Sequence, residues 1–309
     1  MRPGPTRRQF LGTAAAALAA SSAAAAPVRI VDTHVHFWDR SRFHLAWLDG
    51  AQSLNRDYSL DDYRRATEGL DVVKAIYMEV DADPSQHGLE ARAVLELCRR
   101  GGRPLAAAVI SGRPASEGFS EYIRPLAKEP EIKGLRQVLH GSETPAGYCL
   151  DRGFVRGIQL LGDLGLSFDL CMRPGELADG ARLAELCPST RFILDHCGNA
   201  DIFAKDLDPW RRGLAAVAKQ PNVCAKVSGI IASVKGRPWK PDDLAPIINH
   251  VLEEFGPDRV VFGGDWPVCS LGASLVDWVQ ALRQVVSARG YEEQNKLFHH
   301  NALRVYRLT

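Results

Sequence analysis

The stretch Val31-Asp32-Thr33-His34-Val35-His36-Phe37-Trp38-Asp39 closes an apolar, β-branched run that reads as a buried strand over 28–36, ending in two histidines. Residues i and i+2 of a strand project from one face, about 6.6 Å apart along it. Two imidazoles aimed at one point from a strand end make a metal site or a polar catalytic pocket. The plainer alternative is one satisfied core histidine and one surface histidine. What the other strands end in decides between them.

Seven further runs of strand length follow, over 72–80, 105–111, 132–140, 167–173, 191–196, 222–228 and 259–265. Helical periodicity fills the gaps, as in 88–98, 154–164 and 244–255. Strands alternating with helices pair in parallel, because the crossover needs a helix. Near-continuous apolar strands fit a sheet covered on both faces. Eight such units predict an α/β fold, the (β/α)8 TIM barrel. An open doubly wound sheet is the alternative, but it carries a glycine-rich phosphate loop after its first strand, and Asp32 to His36 is not one. Catalytic groups of a barrel sit at the C-terminal ends of its strands. Here those ends offer His34 and His36, Glu79, Ser111 and Arg113, Arg136 and His140, Arg173, Asp195 and His196, Lys226 and Ser228, and Asp265 with Trp266. A purely structural sheet has no need of ionisable groups at nearly every end, so the pattern points to an enzyme. Two long connections, 39–60 with Phe43, His44 and Trp47 and 229–242 with Arg237, Trp239 and Lys240, fall at the same face, where loops line or cover a pocket. Their aromatics suit either stacking on a ring or anchoring the loop.

Composition narrows the function classes. Lys+Arg is 38 against Asp+Glu 37, with no basic run in the body of the chain, which argues against nucleic acid as a partner. No stretch of about 18 strongly apolar residues predicts a membrane-spanning helix. Residues 1–26 differ from the rest: Arg7-Arg8-Gln9-Phe10-Leu11 precedes an Ala-rich run ending near Ala25 and Ala26. This reads as an export signal of twin-arginine type, with the export machinery as partner and the periplasm or the exterior as destination. Its removal leaves 27–309 as a single domain. Seven cysteines with no Cys-x-x-Cys spacing exclude a zinc-cysteine cluster. Cys171, Cys197 and Cys224 fall in strand-like runs and read as small buried hydrophobes.

The strand ends resemble the amidohydrolase superfamily. Asp32-Thr33-His34-Val35-His36 resembles its first-strand His-x-His, Asp195-His196-Cys197-Gly198 its sixth-strand histidine, and Gly263-Gly264-Asp265-Trp266-Pro267 its eighth-strand aspartate. Within it, Lys133-Gly134-Leu135-Arg136, Cys224-Ala225-Lys226-Val227-Ser228-Gly229 and the run from Phe255 to Cys269 are most similar to the amidohydrolase-2 group of sugar and pyrone-dicarboxylate lactonases. The resemblance runs from about residue 28 to the C-terminus and implies a barrel of the metal-dependent-hydrolase type. Two-metal members use a modified lysine at the fourth strand end and a histidine at the fifth. Here Lys133 lies at the start of its strand and 167–173 has no histidine, so one divalent, zinc-like ion or none is implied.

Lactone hydrolysis needs a base for water, an electrophile for the carbonyl oxygen and groups that orient the ring. Asp265 is the expected base. His34, His36 and His196 would polarise the carbonyl, either as donors or, together with Asp265, by holding the ion. Arg136, His140 and Lys226 are candidates for substrate hydroxyls or a carboxylate, or for buried ion pairs with Glu79 or Asp265. Trp38 and Trp266 are candidates to stack on the substrate. Asp195 is expected to point away from the barrel interior, and His299-His300 to be solvated. Two other classes remain open: a metal-dependent decarboxylase of aromatic or unsaturated acids, and a non-catalytic sugar-binding barrel.

Overall fold

The computed structural model describes residues 28–100 and 102–309; the export signal read over 1–26 lies outside the described residues. All eight expected strands form: β1 Ile30–Val35, β2 Val72–Met78, β3 Leu105–Ser111, β4 Ile132–Val138, β5 Ser167–Cys171, β6 Arg191–Leu194, β7 Val223–Val227 and β8 Val260–Phe262. They pair in parallel in sequence order. Helices such as His87–Arg100, Arg152–Asp163 and Pro241–Phe255 return the chain between strands and pack their apolar faces outside the sheet. The ring closes through a short parallel seam. Asp265 N–H donates to the carbonyl of His34 at 2.7 Å, and His36 N–H to the carbonyl of Trp266 at 2.8 Å. The product is a (β/α)8 TIM barrel.

Two apolar layers result. The larger lies between strands and helices. The smaller fills the barrel, where Val31, Ile76, Val109, Ile193 and Val261 meet Val305 and Tyr306 of the C-terminal segment, which plugs the N-terminal mouth. Above this plug the interior turns polar, which is where a site is possible.

β1 carries an irregularity that matters for that site. Asp32 pairs with Ala75 and Val35 with Tyr77, so three steps along β1 oppose two along β2. One extra residue in a strand reverses which side chains face inward beyond it. Val31 faces the barrel interior below the bulge, and His34 and His36 face it above. All seven cysteines are unpaired. No helix among the described residues is long and apolar enough to cross a membrane. One expectation fails at the far end: His299 is buried rather than solvated, because its π-helical turn Lys296–His300 packs beneath the strands.

Candidate active site

The closing seam assembles the centre of the site. Because β8 hydrogen-bonds to β1 at Asp265 and His34, the Asp265 carboxylate lands beside both imidazoles. Its Oδ1 lies 3.5 Å from His34 Nε2 and 3.4 Å from His36 Nε2. Asp32 braces the seam from outside: one carboxylate oxygen accepts Gly264 N–H at 2.7 Å and His34 N–H at 3.0 Å, while Tyr63 Oη donates to the other at 2.8 Å. Gly264 is required for this approach, since a Cβ there would stand 2.4 Å from Asp32 Oδ2.

Backbone strain concentrates at these strand ends. Asp81, His196, Cys197, Asn199 and Asp265 all adopt φ between 50° and 55°. Non-glycine residues in that region cost roughly 1–3 kcal/mol each and persist where surrounding structure fixes them, typically at functional sites. Asp81, His196, Asn199 and Asp265 all line one cavity of about 450 Å³ at the C-terminal mouth.

Below the imidazoles lies a column of buried charge. Lys226 Nζ sits 2.7 Å from Asp169 Oδ2, 2.8 Å from Asp195 Oδ1 and 3.2 Å from His34 Nδ1. Arg136 Nε donates to Glu79 Oε1 at 2.6 Å, and its Nη1 lies 3.4 Å from Asp195 and 3.3 Å from His34 Nε2. Burial alone would raise the Asp195 carboxyl, but the Lys226 ammonium and His34 hold it well below the usual range. Asp169 goes the other way, to about 6, because burial and the Asp195 charge outweigh Lys226. Burial, with Lys226 beside it, pushes His34 well below the ordinary histidine value, so it is neutral at pH 7. Burial lowers His196 as well, and takes His140 down to about 4.

These donors fit one divalent ion. Donors around a tetrahedral ion with bonds of about 2.0–2.1 Å stand about 3.3 Å apart, close to the spacings from Asp265 to the two imidazoles. His36 Nδ1 lies 2.9 Å from the carbonyl of Met78. A carbonyl only accepts, so Nδ1 carries the proton and Nε2 presents its lone pair, the tautomer a metal requires. His34, His36 and Asp265 form one candidate ligand group, and His34, Asp195 and His196 a second that shares His34.

The structure brings together His36, His196, Asp265, Arg136 and His140 on the cavity wall, with His34 directly beneath. His196 is fixed by Ser228, whose Oγ lies 2.9 Å from its Nδ1. Gly229 allows this: it has φ +68°, and a Cβ there would stand 2.2 Å from that nitrogen. Four expectations need correction. Asp195 points into the barrel, because His196 and Cys197 turn left-handed and swing the imidazole back over the mouth instead of alternating outward. Lys226 is wholly buried by its carboxylate partners and does not line the cavity. Trp266 packs against Phe37, Tyr58 and Tyr63. Trp38 packs against Trp47 and Tyr58, with its indole N–H donating to Arg56 O. The aromatic ring on the cavity wall is Trp47, held by its N–H to the carbonyl of Val80 at 2.8 Å. The sequence reading also passed over Asp81, Asn199 and Lys235, which line the cavity, and Asp169. Asp169 had a signal: a carboxylate inside an apolar strand implies a buried cation.

The chain is similar to known proteins along nearly all of its length. The L-fucono-1,5-lactonase of Burkholderia multivorans is 26% identical over 296 residues, spanning 90% of this chain and 96% of its own. The L-rhamnono-gamma-lactonase of Scheffersomyces stipitis is 26% identical, spanning 91% and 99%. A crystal structure of an amidohydrolase from Burkholderia multivorans with bound zinc is similar at a TM-score of 0.81 and 25% identity, covering 91% of this chain and 100% of that one. The family model described as amidohydrolase matches residues 31–308, almost every residue of the barrel, and the protein belongs to that family.

Proposed function

We propose that this protein is a hydrolase that opens the ester bond of a lactone ring. The observation that carries the reading is Asp265 Oδ1 lying 3.5 and 3.4 Å from His34 and His36 at the floor of a cavity of about 450 Å³. Relatives named as lactonases along nearly the whole chain support it. His34, His36 and Asp265 would hold a single divalent ion, and a zinc-bound relative of the same fold supports that assignment. When bound, such an ion supplies a more acidic water and polarises a carbonyl oxygen.

The chain's own residues do the rest. Asp265 takes a proton from water as its oxygen bonds to the lactone carbonyl carbon. His196, at the cavity wall, stabilises the negative charge that develops on the carbonyl oxygen. As the ring C–O bond breaks, Asp265 returns its proton to the departing alkoxide, giving a hydroxy acid. Arg136, held by Glu79 and Asp195, presents fixed positive charge beside His34. Trp47 and the apolar wall exclude water from the rest of the ring. The reaction takes place after export, with residues 1–26 as the signal.

Asp265→Asn tests the reading. The variant should fold, by circular dichroism, and lose at least about 100-fold in kcat on a panel of aldonolactones and pyrone lactones. Undiminished turnover in the variant, or no lactone opened by the wild type, defeats it.

A further inference from the structure

The cavity rim carries a cation that the hydrolytic machinery does not use. Lys235 lines the cavity and has no ion pair among the described residues. Both carboxylates on the wall are otherwise engaged: Asp265 by the histidines, and Asp81 by Arg113 at 3.5 Å. Lys235 is not on a loose loop. It follows the short helix Ile230–Val234, whose Ile230, Ile231, Ala232 and Val234 are buried, and its own φ of +48° is a conformation a side chain adopts only when held there. The same segment carries further cations: Arg237 and Lys240 follow Lys235, and Lys240 lies 4.0 Å from Asp242. Arg237 stacks over Phe203 at 3.5 Å and donates to the carbonyls of Ser233 and Val234 at 3.2 Å, which fixes a second charge beside Lys235.

Most of the remaining wall is apolar, with Trp47, Val80, Val138, Val268 and Leu271, and of its polar side chains His140, Asn199 and Ser233 the last two already donate to the carbonyls of Met172 and Ile230. It offers few partners to a ring bearing many hydroxyls, each of which loses water on entry. It suits a ring with one strong polar group directed at the rim. We infer that Lys235 recognises an anionic substituent outside the ring, so that the substrate class is acidic lactones carrying a carboxylate. This rests on the lactone-hydrolase reading and narrows it. Lys235 steers and seats the anion, while Asp265 acts on the ring carbonyl.

The test uses two γ-butyrolactones, one with a carboxylate beside the ring oxygen and one with a carboxamide there. The wild type should prefer the acid in kcat/KM by about tenfold or more at low salt, with the preference shrinking as ionic strength rises. Lys235→Gln should reduce that preference about tenfold, mainly through KM, and Lys235→Arg should restore it. Equal use of the two rings by the wild type, or an unchanged ratio in Lys235→Gln, overturns the assignment. If neither ring is opened, the hydrolase reading is decided separately, on the panel of aldonolactones and pyrone lactones. Lys235 is then judged by calorimetry with the ring-opened hydroxydicarboxylate: binding about tenfold weaker in Lys235→Gln upholds anion recognition, and equal binding overturns it.

Discussion

Replacing Lys226 with methionine separates a structural cation from a substrate ligand. Lys226 Nζ stands 2.7 and 2.8 Å from the carboxylates of Asp169 and Asp195, and all three side chains have no exposed surface. Methionine keeps most of the volume, so the cavity contribution is small. What it removes is the charge, leaving two carboxylates without water. Breaking a buried pair in this way costs roughly 3–5 kcal/mol. In a chain of this size about 1 kcal/mol moves Tm by roughly 2–4 °C, so the expected fall is on the order of 10 °C. The loss also depends on pH. Without Lys226 the Asp195 carboxyl loses the largest charge that holds it down, with His34 and Arg136 still beside it, and Asp169, already near 6, rises further. The folded Asp169 value then lies still further above its unfolded one, so this part of the variant's stability is greatest at low pH and falls as pH rises toward that value. The deficit against wild type should be largest near pH 7.5 and should shrink toward pH 5.5, by up to about 1.4 kcal/mol per pH unit for each extra proton bound. Urea unfolding followed by tryptophan fluorescence at both pH values measures it. A variant as stable as wild type at both, with only KM raised, would refute the buried-pair account and return Lys226 to the substrate.

Three further outcomes follow from the same geometry. Glu90 is raised to about 7 by burial and by Glu79, against 4.5 when unfolded, so its contribution to stability declines as pH rises from about 4.5 and is lost above about 7. Glu90→Gln should therefore gain on wild type over that window, by up to about 1.4 kcal/mol per pH unit; a gap in melting temperature that stays flat with pH counts against it. Gly229→Ala puts a Cβ 2.2 Å from His196 Nδ1 at a φ of +68°, and displacing that imidazole by about 1 Å should lower kcat by on the order of 100-fold in a protein that still gives a native circular dichroism spectrum; wild-type kcat would mean His196 is dispensable. Chelation of the purified protein should release about one equivalent of divalent metal and lower Tm, because an ion held by the folded state alone stabilises it; two equivalents would contradict the single site.

The fold was legible because barrel strands announce themselves: each is an apolar run bounded by helical periodicity, and all eight lie where the pattern puts them. The site was legible only as far as alternation holds. Asp265, His36 and His196 lie at predicted strand ends and meet. Asp195 was misread because adjacent strand residues face opposite ways, a rule that the left-handed His196 and Cys197 break by turning the chain back on itself. The bulge in β1 is equally silent in sequence, since a register shift has no composition of its own. Lys226 shows a different limit. Its inward direction could be read, but its depth depends on Asp169 reaching it from β5, a contact 57 residues away along the chain. Trp38 and Trp266 do not reach the wall of the cavity around Asp265, because Tyr58 packs against both rings at once.

The barrel's closure and the assembly of its reactive centre are one event. Most strand pairs here form ladders of several residues, but β8 meets β1 mainly through the Asp265–His34 and His36–Trp266 backbone bonds, with the Thr33 hydroxyl on Phe262 O at 2.6 Å below them. The residues that close the ring are therefore the residues that bring the carboxylate to the imidazoles. Asp32 ties both sides of that seam with one carboxylate and is itself tied to the outer layer by Tyr63. Loosening of that short pair would separate Asp265 from His34. The strained φ of Asp265 is held by the same backbone bonds. Geometry at the candidate site is thus a property of the seam, which groups outside the cavity, Asp32 and Tyr63 among them, hold in place.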